Sequence, residues 1–133
     1  MKIVLDTNIL ISAFIFGGKP RQILSLVLAG KLQAFISPLL IAEFFDVVNK
    51  KFDLSAEELT LAKNQIENKL IIVQPKKEIK ISRDEDDNRV LETAIEGECN
   101  YIVTGDSDLL DLKNFKNIKI VTPDGFLSDM LID

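Results

Sequence analysis

Five carboxylates in this chain stand where chemistry would need them: Asp6, Glu43, Asp87, Asp106 and Asp108. Asp6 ends an apolar run of strand length and Asp106 follows another, while Glu43 and Asp87 share helical faces with apolar residues. The chain has no histidine, and Cys99 is its single cysteine. Any reaction these residues perform is therefore carboxylate chemistry. Acids that converge with nothing basic between them repel one another and raise each other's pKa. A hard divalent cation that takes oxygen ligands, Mg²⁺ or Mn²⁺, relieves that repulsion.

Each acid also has a plainer reading. Asp6 closes the run K-I-V-L-D (residues 2–6), and the carboxyl end of a strand in an α/β sheet is where ligand-binding groups gather. Asp is equally a favoured N-cap for the helix that follows. Glu43 lies three or four positions from Leu39, Leu40 and Val47, which sets it into an apolar stripe. A buried carboxylate there needs a partner, either a basic side chain or a metal. Asp87 is in phase with Val90, Leu91, Ala94 and Ile95, whereas Asp84, Glu85 and Asp86 read as helix-start acids favoured by the helix dipole. Asn88 beside them offers hydrogen bonds. In T-G-D-S-D (residues 104–108), Gly105 permits a tight turn that points Asp106 at the strand tips. Thr104 offers a hydroxyl at the same edge, and Asp108 serves as ligand or as helix-start acid.

The elements that must position these groups follow from periodicity and caps. Strands are expected at 2–6, 33–36, 70–73, 101–104 and 118–121. Helices are expected at 8–15, from Pro20 to a stop at Gly30, from a Ser37 cap to about 49, and from Ser55 to about 69 with a Ser55–Glu58 capping box. Two more are expected from an Asp84 cap to 96, ended by Gly97, and at 123–131. Strands separated by helices imply βαβ crossovers and a mostly parallel, covered sheet of about five strands. Residues 74–82 form a polar, lysine-rich linker with no assigned structure.

A chain of 133 residues with 47% hydrophobic composition makes one domain, residues 1–133, with a real core. A lone cysteine excludes an internal disulfide and fits a reducing compartment. The uncharged stretches 7–18 and 32–42 are too short to cross a membrane, and Asp6 interrupts the N-terminus too early for a signal peptide. The cytoplasm is the expected location. A net charge of −5 runs against an ordinary nucleic-acid binder. Two divalent ions bound by the five acids would bring the total to roughly −1, so a metal-dependent nuclease stays open.

Four segments together resemble a PIN domain, most closely the prokaryotic PIN proteins assigned as toxins of toxin–antitoxin pairs. They are V-L-D-T-N-I-L-I-S-A (4–13), S-P-L-L-I-A-E ending at Glu43, R-D-E-D-D-N (83–88) and Y-I-V-T-G-D-S-D-L-L (101–110). The resemblance covers nearly the whole chain in order. It implies a three-layer α/β/α fold and an Mg²⁺- or Mn²⁺-dependent ribonuclease. Asp6, Glu43, Asp87 and Asp106 match the four family acids and Asp108 an additional one. Asn8 and Thr104 match supporting polar residues. Glu85 stands where many relatives have proline, and 50–80 carries no motif. Acid-held metal can activate water and neutralise a phosphodiester without histidine. The resemblance also implies an RNA substrate, a homodimer and an antitoxin partner. Leu26, Ile41 and Phe45 lie off their helices' main apolar stripes, which points to the same covered surface.

Two other readings are carried. A haloacid-dehalogenase-type phosphatase also uses a strand-end Asp and a G-D-S motif, with Asp111 as a further acid, but it needs an acid where this chain has Asn8. A non-catalytic binding domain would keep the fold and lose the reaction. Basic residues near the loops, Lys19, Arg21, Lys113 and Lys116, are candidate substrate contacts or ordinary solvated surface.

Overall fold

The computed structural model describes residues 1–132. Six strands form one sheet: β1 (Lys2–Leu5), β2 (Gln33–Ile36), β3 (Ile71–Ile72), β4 (Tyr101–Val103), β5 (Asn114–Phe115) and β6 (Ile118–Val121), in the order β3-β2-β1-β4-β6-β5. All pairings are parallel except β5 with β6. Seven helices connect them: α1 (Thr7–Ile15), α2 (Gly18–Leu28), α3 (Pro38–Lys51), α4 (Ala56–Lys69), α5 (Glu85–Glu96), α6 (Ser107–Leu112) and α7 (Pro123–Ile132). Successive residues of a strand face opposite sides of the sheet. Ile3, Val4 and Leu5 are all buried, as are Ile102 and Val103. Both faces of the central strands are therefore covered, and the layers are helix, sheet, helix.

Local chemistry explains most element boundaries. The Ser37 hydroxyl accepts from Leu40 N, and Ser55 with Glu58 forms a reciprocal capping box. Asp84 accepts from Asp86 N at the start of α5. Leu40, Phe44 and Val48 bury one face of α3, and Val90, Leu91 and Ala94 one face of α5. Leu39 is 61% exposed. The apolar stripe of α3 thus lies one position round from where 39, 40 and 47 would centre it, and Glu43 sits at its edge rather than within it.

Of two further short elements, α6 starts where Asp108 reads as a helix-start acid, and β5 has no counterpart among the elements expected from the sequence. Helix α6 has six residues, and β5 forms a hairpin with β6. The hairpin turns on Lys116 and Asn117, both with positive φ (47° and 70°). That backbone matches the right-handed twist of the flanking strands but normally draws Gly.

Glycines depart from expectation in an instructive way. Gly97 ends α5 with an ordinary right-handed φ of −80°, and Glu98 takes the left-handed position. What requires glycine is space: a Cβ at 97 would stand 2.7 Å from the Phe35 ring. Gly105 has no positive φ, and a Cβ there would meet nothing closer than 3.9 Å. The turn into α6 is held instead by Thr104 Oγ1 accepting from Asp106 N at 3.0 Å. Chemical denaturation should show the contrast. Gly97→Ala is expected to cost about 1–3 kcal/mol through overpacking, whereas Gly105→Ala should stay within about 0.5 kcal/mol of the parent. Equal effects would show that the Phe35 contact does not explain Gly97.

The linker 74–82 has neither helix nor strand, yet it is fixed. Its backbone amides are accepted by side chains of α5: Lys76 N by Glu96, Ile79 N by Glu92 at 2.8 Å, and Ile81 N and Ser82 N by Asn88. Acceptors at 88, 92 and 96 share one helical face. Buried Glu92 is further held by Arg89 at 2.8 Å. Asn88 therefore serves the linker, not the acid cluster.

Candidate metal centre

Strand order places the acids. β2 and β3 extend from one side of β1, while β4, β6 and β5 extend from the other. The chain changes direction across the sheet between β1 and β4, and at such a point a crevice opens at the carboxyl ends of the strands. Asp6 directly follows β1, and Asp106 lies three residues past β4. Helix α5 packs against β1, β2 and β4 and contacts α3, which brings Asp87 and Glu43 to the same edge.

Asp6 occupies the N-cap position of α1, but its side chain makes no capping bond. Its Oδ2 accepts instead from Thr104 Oγ1 at 2.7 Å. Buried Thr104 thus bridges the two strand-end acids: it donates to Asp6 and accepts from the amide of Asp106. Asp106 caps α6 through Leu109 N at 3.0 Å and leaves its other carboxyl oxygen free of that duty. Asp87, 4% exposed, accepts from Ser82 Oγ at 3.1 Å. Asp108 is exposed and faces Arg83 at 3.7 Å. Asn8 is exposed.

Carboxyl oxygens of Asp87, Asp106 and Asp108 lie within 4.8 Å of one another. That is near the separation of two oxygens on opposite sides of a small hard cation, about 4 Å for Mg²⁺. Asp6 and Glu43, expected to be core acids of the site, are not part of that close group. Asp6 feels the charge of Asp106, and Glu43 that of Asp6. A residue set aside as a helix-start acid joins them: Asp86 lies close enough to Glu43 to share a hydrogen bond. No sequence signal marked it, because its position depends on where α3 lies against α5.

The electrostatics follow from this crowding. Burial is the largest influence on Asp87, followed by a hydrogen bond shared with Asp106 and that group's charge, and together they push its pKa to about 7. Glu43 is also raised to about 7, first by burial and then by Asp86, with the Thr7 hydroxyl opposing. Asp6 is raised by burial, with Thr104 opposing and the charges of Asp106 and Asp84 adding to the rise. Among the described residues, Arg83 is the single basic side chain in an ion pair with one of the five acids. An all-oxygen donor set whose charge is not balanced by protein cations fits a hard divalent ion. Buried Cys99, its thiol pushed to about 12 by burial, takes no part.

Of the basic candidates at the loops, Arg21 alone is tied into the backbone, while Lys113 and Lys116 are exposed. Arg21 donates to the carbonyls of Ala13 and Phe14 at the end of α1. Lys19 pairs with Asp124, and Lys113 and Lys116 occupy positive-φ positions around the β5–β6 hairpin.

A family model described as PIN domain matches residues 2–108. The chain belongs to the PIN domain family. An uncharacterized protein of Methanocaldococcus jannaschii is 30% identical over 142 aligned residues, which cover 97% of this chain and 91% of the relative. Among solved structures, VapBC2 from Rickettsia felis, crystallised with a DNA fragment from its promoter, superposes with a TM-score of 0.63 at 18% identity, over 90% of this chain and 97% of the other. The superposition shows that the two share the PIN fold. No helix among the described residues is long and apolar enough to cross a membrane.

Proposed function

We propose that this PIN domain is an endoribonuclease that uses Mg²⁺ or Mn²⁺, held by Asp87, Asp106 and Asp108 with Asp6 and Glu43 beside them. The observation that carries this reading is the close approach of Asp87, Asp106 and Asp108, with Asp6 and Glu43 feeling the charge of neighbouring acids and Arg83 the single basic side chain paired with any of the five among the described residues. When bound, a divalent ion supplies phosphate neutralisation and acidifies a water. The protein's own part is placement. Thr104 fixes the orientation of the Asp6 carboxylate and the backbone of Asp106. Ser82 orients Asp87. Glu43 and Asp87, raised to about 7, can hold or release a proton near neutral pH. The test is incubation of the purified chain with single-stranded RNA and Mg²⁺ or Mn²⁺. Internal cleavage that EDTA stops is expected. Hydrolysis of a small phosphomonoester without cleavage of RNA would favour a phosphatase and overturn the reading.

The partner side of this reading is a toxin of a toxin–antitoxin pair, dimeric in solution and in the cytoplasm. The fold is shared with VapBC2. Leu26, Ile41 and Phe45 are not surplus apolar residues left in solvent: all three are half-buried against the core. Ile41 and Phe45, with Leu59, Ile66 and Ile72, instead line an apolar groove of about 470 Å³ between α3 and α4. Such a groove suits an amphipathic segment of an antitoxin. Phe45→Glu is expected to lower capture of a co-expressed antitoxin at least about tenfold by burying an unpaired charge. Unchanged capture would place the partner surface elsewhere.

A further inference from the structure

The linker that follows β3 has a composition unlike the rest of this acidic chain. Residues 74–83 read Q-P-K-K-E-I-K-I-S-R, with four basic side chains and one acid. The segment is also rigid without secondary structure, because Asn88, Glu92 and Glu96 of α5 hold its amides at one end, the middle and the other end. α5 is the helix that carries Asp87, so the segment keeps a fixed place relative to the acids.

Its cations are unequal. Lys80 meets Glu78 at 3.4 Å in an exposed pair, and Arg89 nearby is held by buried Glu92. The ammonium groups of Lys76 and Lys77 make no ion pair among the described residues. Lys76 and Lys77 line a cleft of about 250 Å³ with Ser37 and Pro38 at the entry to α3, shared with Glu78 and with the Arg89–Glu92 pair. At the far end, Arg83 is 91% exposed and meets Asp108 at 3.7 Å, at the rim of the acid cluster. An exposed pair of that length is weak, so the guanidinium can exchange Asp108 for a phosphate, and it can bind that phosphate in bidentate fashion.

We propose that residues 74–83 form a basic rail that tracks the backbone of single-stranded RNA, with Arg83 on the phosphate beside the acids and Lys76 and Lys77 on phosphates further along. The proposal rests on the nuclease reading for its substrate class. It resolves a difficulty of charge: a chain of −5 whose acids repel a phosphodiester needs local cations to hold one. From 76 to 83 the rail spans at most about 25 Å, room for several nucleotides. Exposed Ile81 between the two ends offers an apolar surface to a base.

The test is a binding titration of the full chain with a short phosphorothioate-linked single-stranded RNA at fixed Mg²⁺ and varied KCl. Three proteins are compared: the parent, the triple exchange Lys76→Gln, Lys77→Gln and Arg83→Gln, and a control triple exchange Lys31→Gln, Lys50→Gln and Lys51→Gln, at exposed positions outside residues 74–83. Each phosphate contact on a single strand contributes about 0.7 to the slope of log affinity against log salt, so losing three lowers the slope by about 2 and the affinity by about 100-fold at about 0.1 M salt. The control should stay near the parent. Equal losses in both triples, no loss in the rail triple, or no RNA binding by the parent would each overturn the rail. Cleavage is scored separately on ordinary RNA. Rail-dependent binding without cleavage leaves the rail standing and removes the nuclease reading, while cleavage with rail-independent binding does the reverse.

Discussion

Asp106→Asn is expected to lower metal-dependent RNA cleavage by about three orders of magnitude while leaving the metal-free protein at least as stable as the parent. The rate effect follows from the charge an ion contributes to the transition state, several kcal/mol at about 1.4 kcal/mol per tenfold. The stability effect follows from the geometry. Asn is as good an N-cap as Asp, so the bond from Leu109 N is kept, and one of several mutually repelling charges is removed. Thermal melting and the cleavage assay read the two halves independently. Full activity in Asp106→Asn would refute the catalytic assignment, and loss of folding would mean that the carboxylate is structural.

The second large effect is a pH dependence of the metal-free chain that a metal reverses. Glu43 and Asp87 are raised to about 7 and Asp6 is raised as well. Between about pH 4, the ordinary carboxylate range, and about 7 the folded chain therefore holds protons that the unfolded chain has released. Stability then falls as pH rises, because the slope follows the protons bound by the unfolded state minus those bound by the native state. The metal-free protein should melt at a higher temperature at pH 5 than at pH 8. Glu58 and Asp129, whose pKa values are lowered, act oppositely, but only as pH falls into the ordinary carboxylate range. An ion binds the deprotonated acids, so its affinity should rise with pH up to about 7. At a hundredfold excess over Kd it adds about 2.7 kcal/mol, or on the order of 10 °C in Tm for a chain of this size. Melting curves at pH 5 and 8 with and without Mn²⁺ test this. A metal-free Tm that rises from pH 5 to 8 would contradict the raised pKa values.

How much of this was legible in the sequence depends on the range of the forces involved. Caps at Ser37, Ser55 and Asp84 are contacts across two or three residues, and they appear where local chemistry puts them. The parallel strands β1 and β4 were legible because a strand buried on both faces is a continuous apolar run, whereas β6 reads as buried and exposed positions in alternation around Lys119. β5 is a two-residue strand behind a Lys116–Asn117 turn without glycine, and neither its length nor its turn gives a pattern to read. At the acid group, strand-end position pointed to Asp106, while Asp6 stands outside the group and is linked to it through Thr104. Helical phase placed Asp87 well. It placed Glu43 less well, since Leu39 faces solvent. Thr104 was legible from its place at the strand edge, and it does bridge Asp6 and Asp106, whereas Asp86 beside Glu43 and Asn88 and Glu92 under the linker depend on contacts between separate elements. Gly97 teaches the same point, because its reason is the Phe35 ring, 62 positions away, rather than its own backbone.

The most direct measurement is anomalous diffraction from crystals of the full chain soaked in Mn²⁺. A manganese peak bounded by the carboxylates of Asp87, Asp106 and Asp108, at the tips of β1 and β4, is the predicted result. Density for manganese only at surface carboxylates away from this cluster, with the three side chains still drawn together around protons, would contradict it.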